Sequence, residues 1–333
     1  MVMEDERFTR RCPQFGARTV EGTMKRLSPN ISGAIALAIA SLLWGTTGTA
    51  ASFMPDSVSP LAIGASTMVF GGVLLFSFSS RQSLRVLADP VARRWILIGA
   101  IGVVVYPLAF YTSMDQAGVA IGNVVALGSG PAFAALLEWI VEKRPLSRRW
   151  ASATTIAIVG ITLLTLGGHG GAESAGDSAM PPGNVGLGVA LGLVAGMSYA
   201  LYTYASTRAI ATGHPGRGVT GAMFGVGAVV LLPILLVTGA PLLQSSTTVL
   251  ISAYLAIGPM FIAYVFFGFG LTHLRSSVAT TITLLEPVVA TILAVVVVGE
   301  RLETLGWVGL VLILIGITVL VTARHNQNSS RPF

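Results

Sequence analysis

The sequence predicts an all-α integral membrane protein with ten transmembrane helices arranged as two inverted repeats of five. Three observations lead to this prediction: few charged residues, ten long apolar segments, and a similarity between the two halves of the chain. Of the 333 residues, 53% are apolar and only 10% are charged, and the mean hydropathy is +0.78. A soluble domain carries roughly 25% charged residues. This chain therefore has too few charges to cover a surface that faces water.

Ten segments are long and apolar enough to cross a bilayer as helices. A hydrocarbon layer of ~30 Å takes about 20 helical residues, and lipid offers no partner to an unpaired backbone group. The predicted spans are residues 31–53, 60–78, 95–113, 119–141, 150–167, 185–207, 219–238, 248–271, 276–298 and 305–322. Residues 1–30 are predicted to be a disordered cytoplasmic tail and residues 323–333 a second cytoplasmic tail. A close helix contact is predicted for the sixth span, where three glycines lie four residues apart: Gly188, Gly192 and Gly196.

The distribution of Lys and Arg predicts the orientation of the chain. Basic residues accumulate in the short cytoplasmic loops of membrane proteins. With both termini in the cytoplasm, 19 of the 20 Lys and Arg residues lie on the cytoplasmic side, and only Arg301 lies outside. The net charge of +6 is therefore explained by membrane orientation, and no nucleic-acid partner is predicted. The predicted location is the cytoplasmic (inner) membrane.

The two halves of the chain repeat at a constant offset of 156 residues. The matching segments are Ala100-Ile101-Gly102 with Ala256-Ile257-Gly258, Pro131 with Pro287, and Gly160-Ile161-Thr162 with Gly316-Ile317-Thr318. Each half holds five spans, an odd number, so the second copy enters the membrane from the opposite side. The predicted units are a first repeat over residues 31–167, an external linker over residues 168–184 and a second repeat over residues 185–322. Such inverted repeats are typical of transporters.

Several short motifs lie at defined places in these spans. They are Leu42-Leu43-Trp44-Gly45 in the first span, Leu284-Leu285-Glu286-Pro287 in the ninth, Gly299-Glu300-Arg301-Leu302 after it, and the two Gly-Ile-Thr segments in the fifth and tenth. With these motifs the chain resembles the drug/metabolite transporter (DMT) superfamily, and specifically its EamA-type ten-helix members. The resemblance covers roughly residues 31–322. It implies a cavity bounded by helices one, three, four, six, eight and nine, and transport out of the cytoplasm.

Glu286 is an acidic residue placed near the middle of a predicted span. It is the eleventh of about 23 residues in the ninth span, which puts it roughly 15 Å from either end. A carboxylate at that depth costs about 2.5 to 3.5 kcal/mol on insertion scales, and such groups usually face a cavity or a partner. We therefore predict that Glu286 binds the ammonium group of a substrate or exchanges a proton. A protonated Glu286 that only bridges helices is the alternative.

Two prolines and several polar or aromatic side chains complete the predicted site. Pro131 and Pro287 occupy matching positions of the repeats and each removes a backbone donor, so they are predicted helix breaks beside a binding site. Besides Glu286, the side chains predicted to line the substrate cavity are Asn123, Tyr199, Trp44, Tyr106, Tyr202 and Tyr264. Ordinary kinks are the alternative for the prolines, and interfacial anchoring is the alternative for Tyr and Trp near helix ends.

Other classes of function lack the residues that they need. The only lysines, Lys25 and Lys143, do not lie in a phosphate-binding loop, so an ATP-driven pump is excluded for this chain alone. Cys12 is the only cysteine and the four histidines are scattered, so neither an enzyme, a metal site nor a cofactor is predicted.

The sequence therefore predicts a secondary transporter that exports a small metabolite by alternating access around a cavity at the middle of the membrane. An amino acid or a related amphipathic solute is the favoured substrate, and Glu286 is the candidate for proton coupling. The predicted partners are this small molecule and the lipid bilayer. A carrier of drugs or other metabolites with the same fold, a channel, and a non-transporting membrane scaffold stay open as alternatives.

Overall fold

The computed structural model describes residues 29–143, 148–167, 184–273, 282–283 and 285–328. These residues are almost entirely helical and include no strand, which confirms the predicted all-α class for this part of the chain. Nearly all of the predicted N-terminal tail and of the predicted linker, together with the last five residues, lie outside the described residues. The predictions made for those segments stay predictions.

The helices follow one another with short connections. They are α1 (Pro29–Gly45), α2 (Thr47–Ser52), α3 (Pro60–Phe78), α4 (Ser80–Ala88), α5 (Pro90–Ala117), α6 (Val119–Glu142), α7 (Arg148–Gly167), α8 (Val185–Ile210), α9 (Gly216–Thr238), α10 (Ser246–Leu255), α11 (Ala263–His273), α12 (Leu285–Leu293) and α13 (Thr304–Asn328). A 3-10 turn covers Ala240–Leu243, and two π-helical segments cover Ala256–Ile262 and Ala294–Val298.

Seven helical segments within the described residues are long and apolar enough to cross a membrane. They are Ile31–Ser52, Pro60–Phe78, Pro90–Ala117, Val119–Glu142, Val185–Ile210, Gly216–Thr238 and Ser246–Leu271. Three shorter apolar segments, Thr154–Leu163, Leu285–Val298 and Thr304–Gly316, overlap the other three predicted spans. The protein is therefore a multi-pass helical membrane protein.

Residues 79–94 differ from the simple basic loop expected between the second and third spans. Most of them form α4 and the first turn of α5, so the third predicted span begins five residues earlier, at Pro90. Asp89 caps α5, because its Oδ1 accepts a hydrogen bond from the Val91 amide at 2.9 Å, and proline is favoured at the first helical position. The hydropathy of this stretch is too low for a span, and the sequence prediction did not consider a short surface helix.

Several of the most extensive helix contacts correspond when the two repeats are exchanged, whereas the contact between α3 and α5 has no counterpart of similar extent between α9 and α11. The most extensive contacts include the pairs α5–α8, α7–α13, α3–α9 and α1–α11. Exchanging each helix with its counterpart 156 residues away converts α5–α8 into α11–α1, and it maps α7–α13 and α3–α9 onto themselves. These four contacts are therefore those expected between two related halves of the chain.

Glycines allow the backbones of these helix pairs to approach closely. A Cβ atom on Gly160 of α7 would lie 2.7 Å from the Gly309 carbonyl oxygen of α13. Similarly, a Cβ on Gly188 of α8 would lie 3.0 Å from the Ser113 carbonyl oxygen of α5. These distances are shorter than ordinary van der Waals contact, so small residues hold the helices together by close packing.

We expect Gly196→Ala to lower the unfolding free energy by about 2 kcal/mol, because overpacking of a close contact typically costs that much. The added methyl group would lie 2.7 Å from the Ala126 carbonyl oxygen and would also collide with Ser129 Oγ. Gly268→Ala is the matched control, because no atom lies within 4 Å of a Cβ at that position. Thermal denaturation in detergent should separate the two variants, and equal midpoints would contradict the assigned contact between α8 and α6.

Candidate functional site

Five predicted aromatic residues form one continuous cluster inside the bundle. The ring centroids of Tyr106 and Tyr199 are 6.2 Å apart, and those of Tyr199 and Tyr202 are 5.3 Å apart. The hydroxyl groups of Tyr202 and Tyr264 are 3.2 Å apart, and the ring of Tyr264 lies 5.3 Å from that of Trp44. The cluster therefore joins α1, α5, α8 and α11, which are helices one, three, six and eight of the predicted topology.

Phenylalanines that the sequence did not single out extend this aromatic cluster. Phe224 of α9 is buried, and its ring centroid lies 5.7 Å from that of Tyr202 and 5.0 Å from that of Tyr264. Phe110 stacks on Tyr106 with a centroid distance of 5.2 Å. A phenylalanine in an apolar span gives no signal that separates a cavity wall from a lipid contact, so only the tertiary structure could place these rings.

The carboxyl group of Glu286 lies within electrostatic range of the hydroxyl groups of Tyr106, Tyr199 and Tyr264. Glu286 is surrounded by protein but keeps part of its surface accessible. Within the described part of the chain, its carboxyl group forms neither a hydrogen bond nor an ion pair. Acids within membrane spans usually face a cavity or a partner, and the predicted role of Glu286 in binding a ligand stays a prediction.

Gly45 brings the first helix close to Glu286. A Cβ atom at Gly45 would lie 3.1 Å from the Glu286 carbonyl oxygen and 2.7 Å from the side chain of Val289. The neighbouring Trp44 donates its indole N–H to the Pro259 carbonyl oxygen at 2.9 Å. In the Leu-Leu-Trp-Gly motif, the tryptophan therefore adds an aromatic ring to the cluster, and the glycine allows close contact with the backbone of Glu286.

Two π-helical segments lie in the second repeat, and one of them supplies the acceptor for Trp44. Pro259 lies within the first π segment, Ala256–Ile262. Because a π turn shifts the backbone pairing, a carbonyl in this segment is available to a side-chain donor. π-Helical turns occur frequently at functional sites. The sequence analysis did not identify Pro259.

The two prolines predicted as helix breaks lie in different local settings. Helix α6 continues through Pro131 from Val119 to Glu142. Pro287 is the third residue of α12, and residue 284 just before that helix lies outside the described residues. A local break of the helix at either proline stays a prediction.

Asn123 of α6 is completely buried, and neither atom of its amide group has a hydrogen-bond partner within the described structure. Most buried polar side chains in proteins are hydrogen-bonded, because an unpaired buried group is costly. Asn123 therefore offers one donor group and one acceptor to a ligand or to water. Its predicted place on the cavity wall stays a prediction.

Glu300 connects the loop after α12 to the beginning of α6. Its carboxylate accepts hydrogen bonds from the Ala120 amide at 3.0 Å and from the Val119 amide. Because the first amides of a helix have no partner within the helix, this carboxylate acts as a cap supplied from the other repeat. Burial raises the pKa of Glu300, and the two hydrogen bonds oppose this change.

A second carboxylate holds the opposite end of α6. Glu142 accepts a hydrogen bond from the Tyr204 hydroxyl at 3.1 Å and lies 3.6 Å from the Arg208 guanidinium. The same guanidinium lies over the ring of Trp95, 5.3 Å from its centroid. Helix α6 is therefore attached at one end to Glu300 and at the other end to α8, both of which belong to the second repeat.

A separate open groove lies away from Glu286. Its volume is about 400 Å³, and it is lined mainly by apolar side chains of α2, α10 and α12. The hydroxyl groups of Thr46 and Tyr254 are 2.6 Å apart at one side of it. The groove presents no charged group, so it is a less suitable site for a polar solute than the region around Glu286.

Comparisons with known proteins identify the class to which this helical bundle and its central acid belong. Residues 31–166 and 186–322 each match the EamA-like transporter family, a member of the DMT superfamily. The chain belongs to this family of membrane transporters, and it contains two EamA repeats.

Similar proteins come from several bacteria. The uncharacterized transporter YwfM of Bacillus subtilis is 32% identical over 295 residues, which cover 88% of this chain and 94% of that protein. The uncharacterized inner membrane transporter YicL of Salmonella typhimurium is 20% identical, over 86% of this chain and 94% of its own. A solved structure with 21% identity matches the fold with a TM-score of 0.58, over 90% of this chain and 99% of that one.

Proposed function

We propose that this protein is a secondary transporter that exports a small metabolite bearing an ammonium group, with amino acids as the favoured class. The observation that carries the proposal is the Glu286 carboxyl group, which forms no ion pair within the described structure and lies beside the tyrosine cluster. An amino acid can present its ammonium group to Glu286 and its apolar side chain to the aromatic rings. The direction of transport follows from the family resemblance.

The proposed topology has ten spans, two inverted repeats and both termini in the cytoplasm. The seven long and three short apolar segments support the number of spans. The pseudo-two-fold pattern of helix contacts supports the relation between the repeats. Repeats with an odd number of spans lie in opposite orientations, and transporters of this type expose a central site alternately to each side.

The roles of the site residues follow from their positions. Glu286 binds the ammonium group and exchanges a proton for it, since a buried carboxylate cannot stay ionised and unpaired at low cost. Trp44, Tyr199 and Tyr264 form the aromatic wall, and the Asn123 amide offers hydrogen bonds to a polar part of the substrate. During alternating access, the contacts of Glu300 break at one end of α6, and the contacts of Glu142 break at the other end.

The transport proposal is tested by counterflow in proteoliposomes. Purified protein is reconstituted with an internal pool of one unlabelled amino acid, and entry of the same labelled amino acid is followed across a panel of neutral, acidic and basic amino acids. We expect saturable flux for at least one neutral amino acid, stimulated by the internal pool. Flux that does not saturate would indicate a channel, and no flux for any member would contradict the proposed substrate class.

The orientation is tested with Cys12, the only cysteine of the chain. We expect a membrane-impermeant maleimide to label it in permeabilised cells and not in intact cells, because the N-terminal tail is predicted to be cytoplasmic. The control is Ser174→Cys in a Cys12→Ala background, which places the thiol in the predicted external linker and should be labelled in intact cells. The opposite pattern would contradict the proposed orientation.

A further inference from the structure

Four exposed arginines lie together on α4 and at the beginning of α5. Arg81 and Arg85 are one helical turn apart on α4, and Arg93 and Arg94 lie in the first turns of α5. On the other side of α4, Ser83 and Val86 are fully buried. Helix α4 therefore has one face in the protein and one basic face directed outward.

This basic face is held rigidly by the beginning of α9. Arg217 donates a hydrogen bond from Nε to the Gln82 side-chain oxygen at 2.8 Å, and Arg217 is itself exposed. A Cβ atom on Gly218 would lie 2.8 Å from Gln82 Cβ, so the two backbones are in close contact. The five exposed arginines therefore lie on three helices, α4, α5 and α9, that contact one another.

The nearest acidic residue in the sequence does not neutralise these arginines. Asp89 is the only acidic residue between positions 79 and 94, and its Oδ2 lies 2.9 Å from His214 Nε2. The hydrogen bonds from His214 and from the Val91 amide lower the pKa of Asp89. Among the described residues, none of the five arginines forms an ion pair with a carboxylate.

Exposed apolar side chains lie directly beside the arginines. Leu84 of α4 and Val91 of α5 are 58% and 60% exposed. Leu97 and Ile101 are also exposed and continue this apolar surface along α5, which is long and apolar enough to cross the membrane. The basic face therefore adjoins exposed apolar side chains of a helix that is long and apolar enough to cross a membrane.

We propose that this surface, defined by Arg81, Arg85, Arg93, Arg94 and Arg217, binds the headgroups of anionic phospholipids in the cytoplasmic leaflet. Guanidinium groups pair with phosphate oxygens in a bidentate manner, and Leu84 and Val91 contact the upper part of the acyl chains. A soluble anion would satisfy the arginines but would leave these two apolar side chains exposed to water, so a lipid is the better partner. This inference does not depend on the transported substrate.

Native mass spectrometry of the purified full-length protein with added phosphatidylglycerol or phosphatidylcholine tests the proposal. We expect the Arg85→Gln/Arg93→Gln double variant to bind phosphatidylglycerol about 30-fold more weakly, as expected for the loss of two cations near a lipid surface, with unchanged binding of phosphatidylcholine. The pair Arg81→Gln/Arg94→Gln is expected to behave in the same way, so that poor folding of one variant does not decide the result.

Arg301→Gln is the matched control, because Arg301 is exposed but lies after α12, at the opposite end of the predicted topology. It should retain wild-type binding of both lipids. The proposal is overturned if both double variants bind phosphatidylglycerol as the wild type does, or if they lose both lipids equally. Displacement of the lipid by millimolar inorganic phosphate would also overturn it, since the surface would then be a site for soluble anions.

Discussion

Glu286→Gln is expected to reduce counterflow of the transported amino acid by about 50-fold. The amide keeps the size of the side chain but removes the negative charge, and hydrogen bonds to charged groups contribute about 1.5 to 3 kcal/mol. Initial rates in proteoliposomes measure the effect across a range of substrate concentrations. We expect the remaining flux to be insensitive to an imposed pH gradient, whereas the wild-type flux responds to it.

Glu303→Gln is the matched control for this prediction. Glu303 is an exposed carboxylate that lies before α13, and its replacement makes the same change of charge without altering the central cluster. Wild-type flux in Glu286→Gln at every pH would contradict both the substrate-binding role and the proton-coupling role of Glu286. A loss of flux that is equal in the two variants would point to net charge rather than to the site.

The first repeat cannot replace the acid that Glu286→Gln removes. Gly130 occupies the position 156 residues before Glu286. A Cβ atom at Gly130 would lie 2.7 Å from a ring carbon of Tyr199, so the aromatic ring fills the space that a side chain would need. The site is therefore asymmetric. The second repeat supplies the acid, whereas the matching position of the first repeat is a glycine that packs against the ring of Tyr199.

Glu300→Ala is expected to lower the unfolding free energy by about 2 kcal/mol. The substitution leaves the Val119 and Ala120 amides at the beginning of α6 without their acceptor, and loss of a helix cap or of a buried hydrogen bond typically costs about this amount. Glu300→Gln is expected to cost less than about 1 kcal/mol, because the amide oxygen can still accept one of these bonds. Thermal or denaturant unfolding in detergent measures both differences.

The raised pKa of Glu300 predicts how the stability of the protein depends on pH. Burial raises the pKa of Glu300 above its ordinary value of 4.5, so the folded protein binds this proton more tightly than the unfolded chain does. The contribution of Glu300 to stability is therefore complete below about pH 4.5 and is lost as the pH rises through the raised pKa. Relative to Glu300→Gln, the wild type should lose stability over this interval, and an opposite slope would contradict the assigned environment.

The position of most long helices could be predicted from hydropathy alone. The span predicted at residues 60–78 agrees with α3 at both ends, and that at 119–141 agrees with α6 to within one residue. Spans are predictable because the bilayer requires each of them to satisfy its own backbone hydrogen bonds within a nearly uniform length. The short helix α4 was not predicted, because a helix that does not cross the bilayer needs neither the length nor the hydropathy of a span.

The sequence singled out five aromatic residues that the structure brings together, and their role in a substrate cavity stays a prediction. Trp44, Tyr106, Tyr199, Tyr202 and Tyr264 were selected for their polarity at membrane depth, and the structure joins all five in one cluster. The cap formed by Glu300 was not predicted, because its partners are more than 170 positions away along the chain. A local motif can show that a residue is unusual, but it cannot show which distant backbone it meets.

By itself the sequence determined that the chain crosses a membrane many times and that its halves are related, and it predicted that one carboxylate lies deep in a span. These properties follow from composition, periodicity and the high cost of charge in lipid, which act on each segment separately. Only the tertiary structure decided that the tyrosines of three helices meet beside Glu286, that Glu300 caps a helix of the other repeat, and that the five arginines lie on three helices in mutual contact. Such contacts depend on how helices pack, and packing is set by close approach at particular residues such as Gly45 and Gly196.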